Sequence, residues 1–439
     1  MVEALPAAPA VVKVLTALAL ILLVNHFTKQ LLLSVAAGAA VLALWSGHSP
    51  AAIGSIAWEQ LSSRENLLLV LIVFEVIWLS SQMSETGVMD DLTEAVRATT
   101  SKRGAIAALP AMIGLLPMPG GALFSAPLVE SCDEEAAISN PRKAQANHWF
   151  RHVWEYWWPL YPGVLLAVQI SGLEIWQIML LGLPLTAGSI GFGYLFLLRD
   201  IREPENAARA PGGRRLRRLL LLLAPIIVVV VVYAAASLVY ARLAGGGAGN
   251  SGASGYASMA AGLLCAILYL QVSRPLDRRR WRRVLLSPRA LNMVLIISAV
   301  LIYGAFIKAQ LPGGGTLVGR MRDEIYALGV PLMVVVMLIP LISGLAMGIS
   351  VGFVGASFPI VFKLLGADPS FGEVASTAVL AYGFGYMGML LSPVHVCLVV
   401  TSEYFNTRVL PNTVGMLRPA AMMLAWALVL SLVVRAALA

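Results

Sequence analysis

The stretch Leu116–Ser125, Leu-Pro-Met-Pro-Gly-Gly-Ala-Leu-Phe-Ser, lies inside an apolar region yet cannot be helical throughout. Pro117 and Pro119 lack backbone donors, and Gly120 and Gly121 favour non-helical dihedrals. The flanking apolar arms, Gly104–Leu116 and Ala122–Cys132, are too short to cross a bilayer, which takes roughly 20 residues. Two half-length arms around a helix-breaking tip read as a re-entrant hairpin over 104–132. A second such unit spans 331–365, with an apolar arm Pro331–Ile349, a Gly-rich tip Ser350–Ala356 and a short return arm Ser357–Leu365.

The two units are related by an offset. A shift of 234 positions carries Gly114 onto Gly348, Gly121 onto Gly355, Phe124 onto Phe358 and Pro159 onto Pro393. Each proline falls within a following apolar segment, so each hairpin precedes a broken helix at the same distance. Paired interruptions in the two halves of a membrane chain point to a transport site.

Of the 439 residues, 59% are hydrophobic and 12% charged. Mean hydropathy is +0.82. These values exclude a soluble domain. The first apolar run, Val11–Phe27, lacks a basic leader and a cleavage site and reads as a retained helix. Cys132, Cys265 and Cys397 are scattered and suggest neither disulfide nor zinc. The net charge of +8 comes from arginines flanking apolar segments, which reflects topology and not a nucleic-acid partner.

The pattern predicts an all-α membrane protein with about ten transmembrane helices plus two re-entrant helical hairpins. The spans are Val11–Phe27, Leu31–Trp45, Asn66–Met83, His148–Ser171, Glu174–Leu198, Leu219–Ala241, Tyr256–Val272, Leu291–Ile307, Val374–Thr401 and Pro419–Val434. Val88–Arg97 and Leu317–Leu328 read as interfacial helices before the hairpins. The loops Arg199–Arg218 and Arg274–Arg289 carry seven arginines each and are assigned to the cytoplasm. Alternation then puts both termini outside, brings the first hairpin in from the cytoplasm and the second from outside. The result is a five-plus-five inverted repeat: residues 1–198, a Pro/Gly-containing linker 199–218, and residues 219–439. Gly245–Gly255 reads as a flexible turn.

This arrangement resembles the ion transporter superfamily, which includes divalent-anion/sodium symporters, arsenite permeases and gluconate permease-like carriers. The motifs Pro117–Pro127 (Pro-Met-Pro-Gly-Gly-Ala-Leu-Phe-Ser-Ala-Pro) and Ser392–Val396 (Ser-Pro-Val-His-Val) are more narrowly similar to an uncharacterised prokaryotic family distantly like the gluconate permeases. The resemblance implies a carrier in the prokaryotic cytoplasmic (inner) membrane, built as an elevator-type homodimer. Spans one, two, six and seven would be the scaffold. Sodium-coupled dicarboxylate carriers of the superfamily bear Ser-Asn-Thr-type tips. Here the tips lack Asn and Thr, which argues against that sodium site.

Broken helices free main-chain groups at mid-membrane, and half-helix N-termini attract anions. Candidate substrate contacts are Pro119, Gly120, Gly121 and Ser125 at the first tip, and Gly355 and Ser357 at the second. Pro159, Tyr161, Ser392 and His395 come from the breaks. Tyr161 and His395 occupy equivalent positions, two after the proline. Ser125 and Ser357 serve equally well as back-bonding helix residues. Ionisable groups within the membrane are functional candidates, since burial costs at least ~2.5–3.5 kcal/mol. Glu75, Glu155 and His152 are therefore assigned to proton coupling. His148, His152 and Glu155 share one helix face at a zinc-compatible spacing, but His-Glu-x-x-His is absent, so no metal is expected. The aromatic cluster Trp149, Trp154, Trp157 and Trp158 reads as belt or packing. No arginine stands at either tip or break, so selectivity is expected from backbone dipoles and neutral side chains.

The expected function is secondary transport, not enzymatic, of a small organic anion such as a hydroxycarboxylate. No cofactor is expected, and the coupling ion is H+. Sodium coupling at the same site is the first alternative. A membrane enzyme or lipid-handling protein is the alternative of another class.

Overall fold

The computed structural model describes residues 8–97, 101–115, 121–133, 137–201, 217, 220–243, 252–312 and 314–438. The first tip (Pro119, Gly120), most of the linker 199–218 and much of Gly245–Gly255 lie outside these residues. Among the described residues the chain is helical, with one isolated bridge between Gln310 and Thr316. Among the described residues, seven helices are long and apolar enough to cross a membrane, or eight if one bent pair counts as a span. The protein is an all-α membrane protein. The remaining expected spans are the shorter apolar helices around 31–45 and 224–240 and the segment broken near Pro159.

Helices α1 (Ala10–Thr28) and α2 (Leu31–Trp45) form an antiparallel pair. Lys29 turns between them with φ +55°. Close approach is possible because a Cβ at Gly38 would strike Ile21. Helix α3 (Pro50–Ser62) starts at the Ser49 cap and buries none of its residues. At 13 residues it is too short to span a bilayer, and no span is expected there from the sequence. Helices α4 (Arg64–Glu85) and α5 (Val88–Arg97) lead to the first hairpin, α6 (Lys102–Gly114) and α7 (Ala122–Glu130). Helix α8 (Asn140–Arg151), a break, and α9 (Pro162–Ser171) follow. Pro162 sits in the first turn of α9, where a missing donor costs nothing. Helix α10 (Ile175–Gly193) runs on into a π turn at Tyr194–Leu198.

In the second half, α11 (Ala224–Leu243) packs on α12 (Gly252–Ser273), and α12 on α4. The Arg-rich loop contains a short helix, α13 (Arg278–Leu285), capped by Asp277. Helix α14 (Pro288–Lys308) precedes α15 (Leu317–Ala327), which meets α16 (Leu332–Met347) at 116°. That bend fits an interfacial helix leading into a hairpin. Then come α17 (Ser350–Lys363), α18 (Phe371–Leu391), α19 (Val396–Tyr404), α20 (Val409–Gly415) and α21 (Leu417–Ala437).

The second tip differs from the sequence expectation. The turn is at Gly348–Ile349, and Ser350–Ala356 is the first half of α17. Gly348 adopts φ +61°, which ends α16 in the left-handed conformation that glycine tolerates. Gly355 is instead a packing residue inside the helix, since a Cβ there would meet Val300. Gly344 and Gly388 likewise let α16 and α18 touch: a Cβ on the first would strike the Gly385 carbonyl, and on the second the Leu341 carbonyl.

Asp133 anchors the base of the first hairpin. It accepts hydrogen bonds from Lys102 at 2.9 Å and from the Ala137 and Ile138 amides, and pairs with Lys143 at 3.2 Å. Burial alone would raise its pKa. The hydrogen bonds from Lys102, Ile138 and Lys143 outweigh that and hold it below the usual carboxylate range.

Candidate functional site

Two helices stop inside the fold, α6 at Gly114 and α16 at Met347, and each leaves carbonyls without intrahelical partners. Side chains of the two breaks satisfy them. Trp154 Nε1 donates to Ala111 O at 2.8 Å and Trp158 Nε1 to Leu115 O at 3.0 Å. The Tyr161 hydroxyl donates to Gly114 O. On the other side, Ser392 Oγ donates to Leu345 O at 2.6 Å. Trp154 and Trp158 therefore do more than belt or packing work. They clamp the first hairpin to the first break, and Gly114 permits the contact because a Cβ there would strike the Arg151 carbonyl.

Cross-links also join the two broken helices. The Tyr386 hydroxyl donates to His152 O, and Tyr382 donates to Glu155 O at 2.8 Å. Tyr386 and His152 are 234 residues apart, the same offset that aligns the hairpins. The start of α9 at Pro162 maps by that offset onto the start of α19 at Val396, and Gly114 maps onto Gly348.

A cavity of about 770 Å³ opens between these elements and the α1, α2 and α14 helices. Three helix N-termini reach its wall: Tyr161 and Pro162 of α9, Ile349 and Ser350 of α17, and His395 and Val396 of α19. Asn25, Lys29, Gln30 and Asn292 contribute polar groups from α1, α2 and α14, and Leu31, Met293 and Ile296 an apolar face. Arg151, His152 and Glu155 line the cavity beside His395, and all four are buried.

The rings of His148, His152 and His395 lie within 5.0 Å of one another, centre to centre. His395 Nε2 is 3.0 Å from His152 Nε2. Glu155 Oε1 stands 3.8 Å and Arg151 Nη1 3.5 Å from that same His152 nitrogen. The Arg151 guanidinium also faces Gly121 across the first tip, where a Cβ would collide with it.

Several expected residues meet here: Tyr161, His395, His152 and Glu155 line one cavity. Pro159 lies in the break between α8 and α9 that positions them. Ser392 is turned to Leu345 O and caps α16. Ser125 Oγ bonds Ala122 O at 3.4 Å and Ser357 Oγ bonds Phe353 O at 2.6 Å, so both are back-bonded within their helices. Glu75 is buried on α4, which packs on α12 and α14, and it is not among the cavity-lining residues. Arg151 overturns the expectation that no arginine stands at a break. It is the last residue of α8, and the sequence reading had placed the break eight positions later, at Pro159. His148 was noted only for its helical spacing, and nothing local tied it to His395.

The family model described as "Protein of unknown function (DUF401)" matches residues 11–434. No curated protein matches the sequence. Among solved structures, the chain is similar to the crystal structure of the Alcanivorax borkumensis YdaH transporter, described as having an unusual topology. Identity is 14%, the match covers 83% of this chain and 84% of that one, and the TM-score is 0.53. At that identity the likeness speaks to the fold.

Proposed function

The chain belongs to the DUF401 family, and from that premise we propose that it is a secondary transporter of a small organic anion, coupled to protons. The observation that carries this reading is the set of helix N-termini, α9, α17 and α19, converging with Arg151 on one cavity. Helix N-termini and a buried guanidinium both favour a carboxylate. The apolar face from Leu31, Met293 and Ile296 suits the carbon skeleton of a hydroxycarboxylate. Glu155 is the proton carrier in this reading, with His152 beside it.

The two halves act as inverted repeats about the linker 199–218. The hairpins and broken helices move as an elevator against α1, α2, α11 and α12 in a homodimer, as in the ion transporter superfamily. The fold likeness to a transporter supports this reading.

The test is uptake by proteoliposomes with an imposed pH gradient and a panel of radiolabelled hydroxycarboxylates. Accumulation that persists when choline replaces sodium is the expected result. Uptake that needs sodium would transfer the coupling to that ion. No uptake under either gradient would end the transport reading.

A further inference from the structure

We propose that His148, His152 and His395 form a binding site for a divalent transition-metal ion of the zinc class at the floor of the cavity. Each histidine offers one ring nitrogen, and these atoms all lie within 4.8 Å of one another. Around a tetrahedral ion with bonds of about 2.0–2.1 Å, ligand nitrogens stand about 3.3 Å apart. The set therefore needs side-chain adjustments and no change of fold.

The tautomers fit. His152 Nδ1 faces His148 O at 2.6 Å, and a carbonyl can only accept, so the proton is on Nδ1 and the lone pair is on Nε2. His148 Nε2 faces Leu390 O at 2.9 Å, so its lone pair is on Nδ1. That Nδ1 is buried and has no hydrogen-bond partner. Holding one imidazole nitrogen with a carbonyl and presenting the other is how proteins orient metal-binding histidines. The His152 lone pair faces His395 Nε2, 3.0 Å away, so without an ion His395 donates from Nε2. An ion replaces that contact by shifting the His395 proton to Nδ1, which is buried and has no partner in this structure.

The nearby charges oppose one another, with a carboxylate and a guanidinium both facing His152 Nε2. Glu155 Oε1, 3.8 Å from His152 Nε2, places a carboxylate beside the ion, and the fourth position stays open to water or to an anion. Arg151 adds positive charge nearby, so an ion here raises the demand for an anion. An ion and Arg151 would then flank the same anionic oxygen. That last step rests on the transport reading; the metal site itself does not. Imidazole ligands select zinc, copper or nickel over magnesium and calcium, which prefer oxygen.

Purified full-length protein, stripped with a chelator, is titrated calorimetrically with Zn2+ and spectroscopically with Co2+. The expected result is one ion per chain, a cobalt spectrum of low coordination number, and no competition from Mg2+. His152→Asn and His395→Asn should weaken zinc binding by at least the roughly 10–100-fold that loss of an outer-shell partner costs. His26→Asn, at an exposed histidine in the last turn of α1, should not. No stoichiometric uptake by wild type, or equal affinity in the two site variants, overturns the proposal. If those variants fail to fold, the wild-type cobalt spectrum decides, because an aqueous-type octahedral spectrum also overturns it. The titration needs neither gradient nor cargo, so its failure leaves transport standing, and failed uptake leaves the metal site standing.

Discussion

Arg151 ends α8 inside the break, against the first tip and the histidine cluster. If it forks onto a carboxylate, Arg151→Lys keeps the charge and loses the second hydrogen bond. The half-saturation concentration for uptake should rise about tenfold or more, since a hydrogen bond to a charged group is worth ~1.5–3 kcal/mol. An unchanged value would remove Arg151 from substrate contact. Two carboxylates were candidates for the proton. Glu155 lines the cavity, whereas Glu75 lies on α4 among α12 and α14. Glu155→Gln should abolish pH-driven accumulation and spare exchange between preloaded vesicles. Glu75→Gln should leave both intact, and the opposite pattern would move the proton to Glu75. The interruption was legible where covalent structure forces it, at Pro159, whereas the Tyr161 hydroxyl, expected to face the ligand, donates to Gly114 O. The role of Arg151 was not legible, because α8 stops well before its proline.

At the scale of elements, the first hairpin is held at both ends of α6. Near Gly114 the clamp consists of Trp154, Trp158 and Tyr161. Trp158→Phe leaves a buried carbonyl without its donor and should cost ~1–3 kcal/mol. Thermal unfolding in detergent reads that loss. Gly114→Ala would force α6 away from the Arg151 carbonyl, at about 1–3 kcal/mol for overpacking, and should slow transport with it. At the base, Asp133 is tied to Lys102 and Lys143. Its pKa is depressed on folding, so its stabilisation is complete above the ordinary value of 3.8. It is lost as pH falls through the lower folded value. Protection of Lys102–Gly114 against hydrogen exchange, corrected for the intrinsic rate at each pH, should therefore fall in acid, and Asp133→Asn should show low protection already at neutral pH. A pH-independent profile would mean the latch does not hold the hairpin. The hairpin itself was readable from its Pro and Gly residues. The second tip was misplaced because Gly348, Gly352 and Gly355 look alike in sequence, yet only the first of them takes a positive φ.

Over the whole molecule, the cavity opens beside the α1–α2 turn at Lys29 and Gln30. On the topology we propose from the arginine distribution, that turn faces the cytoplasm. Cys397 lines the same cavity. With Cys132→Ser and Cys265→Ser in place, a membrane-impermeant maleimide should label Cys397 in inverted vesicles, and cargo should slow the labelling. Labelling only from the outer side would reverse the orientation.

The sequence alone determined which apolar segments must be interrupted, though not the residue at which each helix stops. Proline and glycine act through local backbone geometry, and the offset of 234 residues recurs in the α9 and α19 starts. Tertiary structure decided which side chains share the space those interruptions leave. His395 meets His152 across 243 residues. Such proximity depends on how α8, α17 and α19 pack, and packing of distant helices leaves no periodic mark on any single segment.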